Sequence, residues 1–245
     1  MKKEPSQEIL DFLALQNQKV KNNLTVVNKE DLVFPFMLHI DKVTPKAFIP
    51  MMPRRAADSE NNTVPRVTVA DTLLGCLLAH AAVYTDFFED EKNPGFIINA
   101  IDFEECLKPT AKLVYDADAT NEHWLVPYDK KFLSFKPRSI GKVFVSELTF
   151  HKKKHPREGL EVLVSFSIIW VELIEAISFS LKVQMEPGYY RITTSNKDLD
   201  RNTSYKDSSG IKIDKVSKSI YDAKKKQVAT LLSAENVPPP VYTKW

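Results

Sequence analysis

The residues best placed to do chemistry are one carboxylate, one imidazole and a few guanidinium groups. Glu122 follows the polar turn Asp116-Ala117-Asp118-Ala119-Thr120-Asn121 and opens the strand-like run His123-Trp124-Leu125-Val126. A carboxylate fixed there can stabilise positive charge as it develops on a substrate, or accept a hydrogen bond from a hydroxyl. His39 stands near the end of the apolar run Leu32 to Ile40, which Pro35 interrupts. Strand ends are common places for sites, and an imidazole there can use one ring nitrogen for a ligand and the other for the backbone. Arg54 and Arg55 lie within a long loop and Arg66 directly follows it, and guanidinium forks bind phosphate oxygens bidentately. Asp116 and Asp118 read as turn formers, since no further ligands follow at metal-coordinating spacing.

The elements that must hold these groups follow from periodicity and punctuation. Ile9, Leu10, Phe12 and Leu13 trace a helical stripe after a capping Ser6. The run ending near His39 reads as a buried strand. Residues 44 to 65 carry four prolines and the polar run DSENNT, which predicts a long ordered loop, and loops of that length are often functional. Arg66 to Ala70 is a β-type pentapeptide, after which Asp71 or Thr72 can cap a helix through Leu73, Leu74, Leu77 and Leu78. Further strands are expected at 95–103, from Glu122, and at 140–149, with the basic stretch HKKKHPRE at 151–158 as a turn. Residues 160 to 183 fit a strand by alternation in their first half and a helix as well in their second. Residues 193 to 210 read as a polar loop, 211 to 226 as a basic helix, and the closing NVPPPVYTKW as an extended polyproline segment.

Composition sets outer limits. The 245 residues can bury a large core, and 43% hydrophobic with 27% charged residues is the balance of an ordinary globular protein. A net charge of +2 gives no global field of the kind that collects nucleic acid, although the clusters KKKHPR and AKKKQ, read as solvated faces, can also meet phosphates. Cys76 and Cys106 have neither metal spacing nor the number for a disulfide framework, which suits a cytoplasmic setting. The amino-terminal residues lack the apolar centre of a signal peptide, and the most apolar stretch contains Glu161, Glu172 and Glu175, so no membrane association is expected.

Three segments taken in order, FMLHIDK, RVTVADTLLGCLLAH and ATNEHWLVPYD, resemble the ADP-ribosyltransferase superfamily, in its poly(ADP-ribose) polymerase-like branch with a His, a Tyr and a Glu on successive strands. The stretch from Pro53 to Trp124 is also similar to poorly characterised bacterial and phage proteins. The resemblance covers residues 32 to 150. It implies an α+β fold, a split β-sheet core with flanking helices, over residues 31–192, between an N-terminal helical extension (1–30) and a polar, basic C-terminal extension (193–245). It implies NAD as the substrate, with no metal. Glu122 would be catalytic, and His39, Arg54, Arg55, Arg66, Thr68 and Asp71 would contact NAD. Thr68 stands where the family commonly has a tyrosine that stacks on nicotinamide, so Tyr84, Tyr115 or Trp124 would have to supply that face.

On this resemblance the expected function is an NAD-dependent ADP-ribosyltransferase, a bacterial toxin or phage-defence effector whose acceptor is RNA, DNA or protein and whose partners include an antitoxin. Two alternatives stand beside it: an NAD glycohydrolase, with water as acceptor, and a catalytically silent module of the same fold that binds NAD or nucleic acid. A nucleic-acid role carried by residues 211 to 226 would show as salt-sensitive affinity.

Overall fold

A computed structural model describes residues 3–53, 61–80, 95–114, 117–155, 159–194 and 210–233. The chain is α+β, dominated by antiparallel strands. Two short helices, α1 (Gln7–Ala14) and α2 (Gln18–Lys21), lead into β1 (Leu24–Asn28). Then follow β2 (Phe36–Asp41), β3 (Val67–Ala70), helix α3 (Leu73–His80), β4 (Phe96–Asp102), β5 (Glu105–Pro109), the single turn α4 (Ala117–Thr120) and β6 (Glu122–Leu125). The second half holds β7 (Pro137–His155), β8 (Gly159–Leu173), β9 (Ile177–Ser180), β10 (Val183–Met185), β11 (Gly188–Thr194), β12 (Ile211–Val216) and helix α5 (Lys218–Ser233). Ten of the strands form one sheet in the order β1-β5-β6-β3-β2-β4-β7-β8-β11-β12, and β9 pairs with β10 apart from it.

The sheet has a weak joint near its middle. β4 pairs with β2 over six residues and β3 with β6 over four, but β2 and β3 share the single pair Leu38↔Ala70. Helix α3 lies across that joint. Its Leu73, Leu74, Leu77 and Leu78 are buried with Leu38, Ile40, Ala70, Ile98 and Val143 in one core cluster, at about 1.5–3 kcal/mol for each buried leucine. Thr72 caps the helix, its hydroxyl accepting the Gly75 N–H at 3.2 Å. The opposite face of the same strands buries Met37, Val67, Val69, Ile101 and Leu125 in a second cluster.

Several expectations change here. Residues 1–30 are not helical throughout, because Leu24–Asn28 pairs with β5 and becomes an outer strand of the sheet. The 151–158 stretch is not wholly a turn: β7 runs to His155 in register with β8, and residues 156–158 lie outside the described residues. The ambiguity over 160–183 resolves to strands β8, β9 and β10. Residues 211–226 are not one helix. Ile211–Val216 pairs with β11 as a strand, Ile211 and Ile213 packing on the main core, and the helix starts at Lys218 and packs Tyr221 and Val228 against Phe144 and Trp170. The C-terminal segment therefore contributes an outer strand and a covering helix. The proline-rich end lies outside the described residues.

Candidate functional site

Glu122 owes its place to the residue before it. Asn121 has φ 53, the left-handed region that asparagine tolerates better than most residues. Its side chain is held on both sides: Lys108 Nζ donates to Asn121 Oδ1 at 2.5 Å, and Asn121 Nδ2 donates to Asp71 Oδ1. Burial raises the Asp71 carboxyl above its usual range, against the lowering effects of Asn121 and Lys108. The turn from α4 into β6 is thereby pinned to the turn from β3 into α3.

From there the pleat decides what Glu122 meets. Leu38, Ala70 and Glu122 are successive cross-strand partners and share the sheet face covered by α3. Thr68 and Trp124, two residues along in each strand, are on that face too. Glu122 is 7% exposed, and Trp124 Nε1–H donates to its Oε1 at 2.6 Å. A cavity of about 140 Å³ opens beside it. Leu38 and Ile40 of β2, Thr68 and Ala70 of β3, Gly75, Cys76 and Ala79 of α3, Thr120 and Glu122 line it. Thr68 and Ala79 are the exposed members and mark the mouth. The cavity thus sits where β2 and β3 diverge, roofed by α3.

Gly75 makes this roof close enough. A Cβ at this position would press into the Thr120 carbonyl oxygen, so α3 can approach the α4 turn only without a side chain here. Cys76 also faces the cavity, but burial pushes its thiol up to about 12 and its Sγ is 3.4 Å from the Leu38 carbonyl oxygen. A thiol so protonated is a small apolar wall, not a nucleophile.

The other sequence-derived site residues are distributed differently. His39 borders the cavity, but alternation along β2 turns its side chain to the opposite face, where the ring packs on Phe48 with centroids 4.5 Å apart. Its ring and the Glu122 carboxylate are therefore not brought together. Arg66 is buried, its guanidinium 4.1 Å from the centre of the Trp124 ring, and its Nη1 donates to the Asn61 and Val64 carbonyls at 2.8 and 3.3 Å. It fastens the preceding loop to β6 and is not among the residues that line the cavity. Asp71 supports the turn through Asn121. Arg54, Arg55, Tyr84 and Tyr115 lie outside the described residues. Trp124 is fully buried beneath Arg66, so it offers no face for a nicotinamide ring.

Sequence reading had overlooked Thr120, Asn121, Gly75 and the Trp124 indole as a donor. Two signals were present: an isolated glycine inside a helical pattern, and the Glu-x-Trp spacing that puts two strand residues on one face. Among the described residues no group of three His, Cys, Asp or Glu could hold a metal ion, and no helix is long and apolar enough to cross a membrane. No protein-family model, curated protein or solved structure matches this chain.

Proposed function

We propose that the Glu122 cavity binds the nicotinamide riboside end of NAD and cleaves its glycosidic bond, the chain acting as an ADP-ribosyltransferase. The observation that carries this reading is the placement of Glu122: a buried carboxylate, oriented by the Trp124 indole, at the wall of a ring-sized cavity. A cavity of roughly 150 Å³ holds a benzene-sized ring, so the space suits nicotinamide or a ribose, not the whole dinucleotide. As the bond to nicotinamide breaks, the pair of electrons leaves with the base and positive charge grows on the ribose. A carboxylate fixed nearby in a site of low dielectric stabilises that charge more than it stabilises the ground state. The Thr68 and Thr120 hydroxyls are the neutral hydrogen-bonding groups of the lining. The division of the sheet at Leu38↔Ala70 also supports a split-sheet core of the ADP-ribosyltransferase kind, with the site at the division.

Glu122, Thr68 and Thr120 fit this substrate; the His39 ring and Arg66 do not reach the same space. That mismatch favours a second reading, a module of the same fold that binds the nucleotide without turnover. Incubation with NAD and RNA, DNA or protein acceptors separates the two. Nicotinamide release that falls about 10²- to 10³-fold in Glu122→Gln supports catalysis at this carboxylate. Calorimetric NAD binding with no release supports the silent module, and neither binding nor release by folded protein removes both.

A further inference from the structure

The hairpin of β7 and β8 outgrows the sheet that contains it. β4 accompanies β7 only as far as Val143, and β11 accompanies β8 only back to Ile168. Beyond that, from Leu148↔Phe166 to His155↔Gly159, the two strands pair with each other and with no other described strand. Eight residue pairs at about 3.4 Å per residue make an arm of about 27 Å. Register irregularities between Val145 and Leu148 stand at its root, the position at which bulges bend and twist a ribbon away from its sheet. A two-stranded ribbon without a third strand is marginal in water, and no other described strand pairs along this one.

The outer half of this arm carries His151-Lys152-Lys153-Lys154-His155 on β7. Across from the lysines stand Val162, Glu161 and Leu160, so Glu161 opposes one of the three and leaves a net positive ribbon on a chain whose overall charge is only +2. The lysines are thus concentrated in the part of the hairpin that no other described strand accompanies.

We propose that the β7–β8 arm is a nucleic-acid-binding element whose Lys152, Lys153 and Lys154 engage the phosphate backbone, the ribbon lying in the groove of a duplex. A two-stranded ribbon is one of the two elements the major groove of B-form DNA admits, and lysines that neutralise phosphates supply affinity without base recognition. The inference stands apart from the Glu122 reading, which uses none of the arm's residues.

The test is fluorescence anisotropy of a labelled 20-base-pair DNA duplex with the full chain and with the triple variant Lys152→Gln/Lys153→Gln/Lys154→Gln. Circular dichroism of both proteins establishes that each is folded. The expected result is salt-sensitive binding by the parent, affinity about tenfold or more weaker in the variant at low salt, and a salt slope shallower by about 2.7, the value for three phosphates. Should the variant misfold, Lys152→Gln and Lys154→Gln made singly are each expected to reduce the slope by about 0.9. Absence of duplex binding by the folded parent overturns the proposal, as does binding that the substitutions leave unchanged. Lysine-dependent binding to phosphatidylserine vesicles without duplex binding also overturns it and assigns the arm to an anionic membrane surface.

Discussion

The Trp124 indole donates its N–H to the Glu122 carboxylate from two residues further along the same strand, over 2.6 Å. Because both side chains lie on one face of β6, the bond needs no loop to make it, and the orientation of the carboxylate is inherited from the pleat. Arg66 closes the other side of the indole at 4.1 Å. Glu122 is thereby positioned by a buried stack that does not itself enter the cavity.

Replacing that donor tests the arrangement. Trp124→Phe keeps an aromatic ring beneath Arg66 but leaves Glu122 Oε1 without the indole N–H, and a buried acceptor that loses its donor costs about 1–3 kcal/mol. Urea unfolding is expected to show a loss of that size. If the site turns over NAD, nicotinamide release falls as well. A variant as stable as the parent would mean that water or a neighbouring group replaces the bond.

Gly75→Ala is the second. The added methyl meets the Thr120 carbonyl oxygen at less than contact distance, so either α3 or the α4 turn must shift. Overpacking of a filled interior costs about 1–3 kcal/mol, more than the roughly 1 kcal/mol that alanine gains over glycine within a helix. A lower melting temperature is expected, measured by differential scanning calorimetry, together with weaker binding of any ligand of the cavity. An unchanged or higher melting temperature would show that the helix does not approach the turn so closely.

Asn121 separates backbone from side-chain effects. Asn121→Gly preserves the left-handed conformation but removes the bridge between Lys108 and Asp71; Asn121→Ala removes the bridge and strains the backbone as well. Both variants are expected to be destabilised, the alanine variant by about 1 kcal/mol more. Equal denaturation midpoints would count against the strain.

His123 predicts a response to acid. Its ring is buried, and Nδ1 lies 2.8 Å from the Asn121 carbonyl oxygen, which can only accept, so the neutral ring carries its proton on Nδ1. Burial, reinforced by the positive charge of Lys108, lowers its pKa from 6.5 to about 3. Between those values the unfolded chain binds the proton and the folded chain does not, so stability is complete above pH 6.5 and declines as pH falls towards 3. Denaturant midpoints measured from pH 7 to pH 4 are expected to decline. His123→Gln, which has no such proton to take up, should flatten the part of the decline that belongs to this ring.

How much of this was legible beforehand depends on the kind of information. The strands at Phe96–Asp102 and Glu122–Leu125 follow from alternation and turn residues, and α3 from its cap and leucine spacing. β5 leaves no signal in the sequence, because Glu105, Lys108 and Pro109 dilute a five-residue strand whose burial comes from its neighbours β1 and β6. Three lysines seldom continue a strand, so the sequence points to a turn over the outer part of β7, yet the ladder with β8 carries them to His155. At the site, local spacing placed Glu122 at the head of its strand. It could not give the parity between strands. Only the pairing Leu38↔Ala70↔Glu122 fixes that Glu122 shares a face with Leu38 and not with His39, and a one-residue slip in that pairing would have exchanged the two.

The single residue pair between β2 and β3 gives the molecule an uneven stiffness. The β4–β2 and β3–β6 ladders on either side spread mechanical load over six and four residue pairs; at Leu38↔Ala70 it passes through one pair and through α3, which spans both sides like a splint. A small molecule wedged beside Glu122 touches β2, β3 and α3 together, and so would act as a rivet across a compliant line of the sheet.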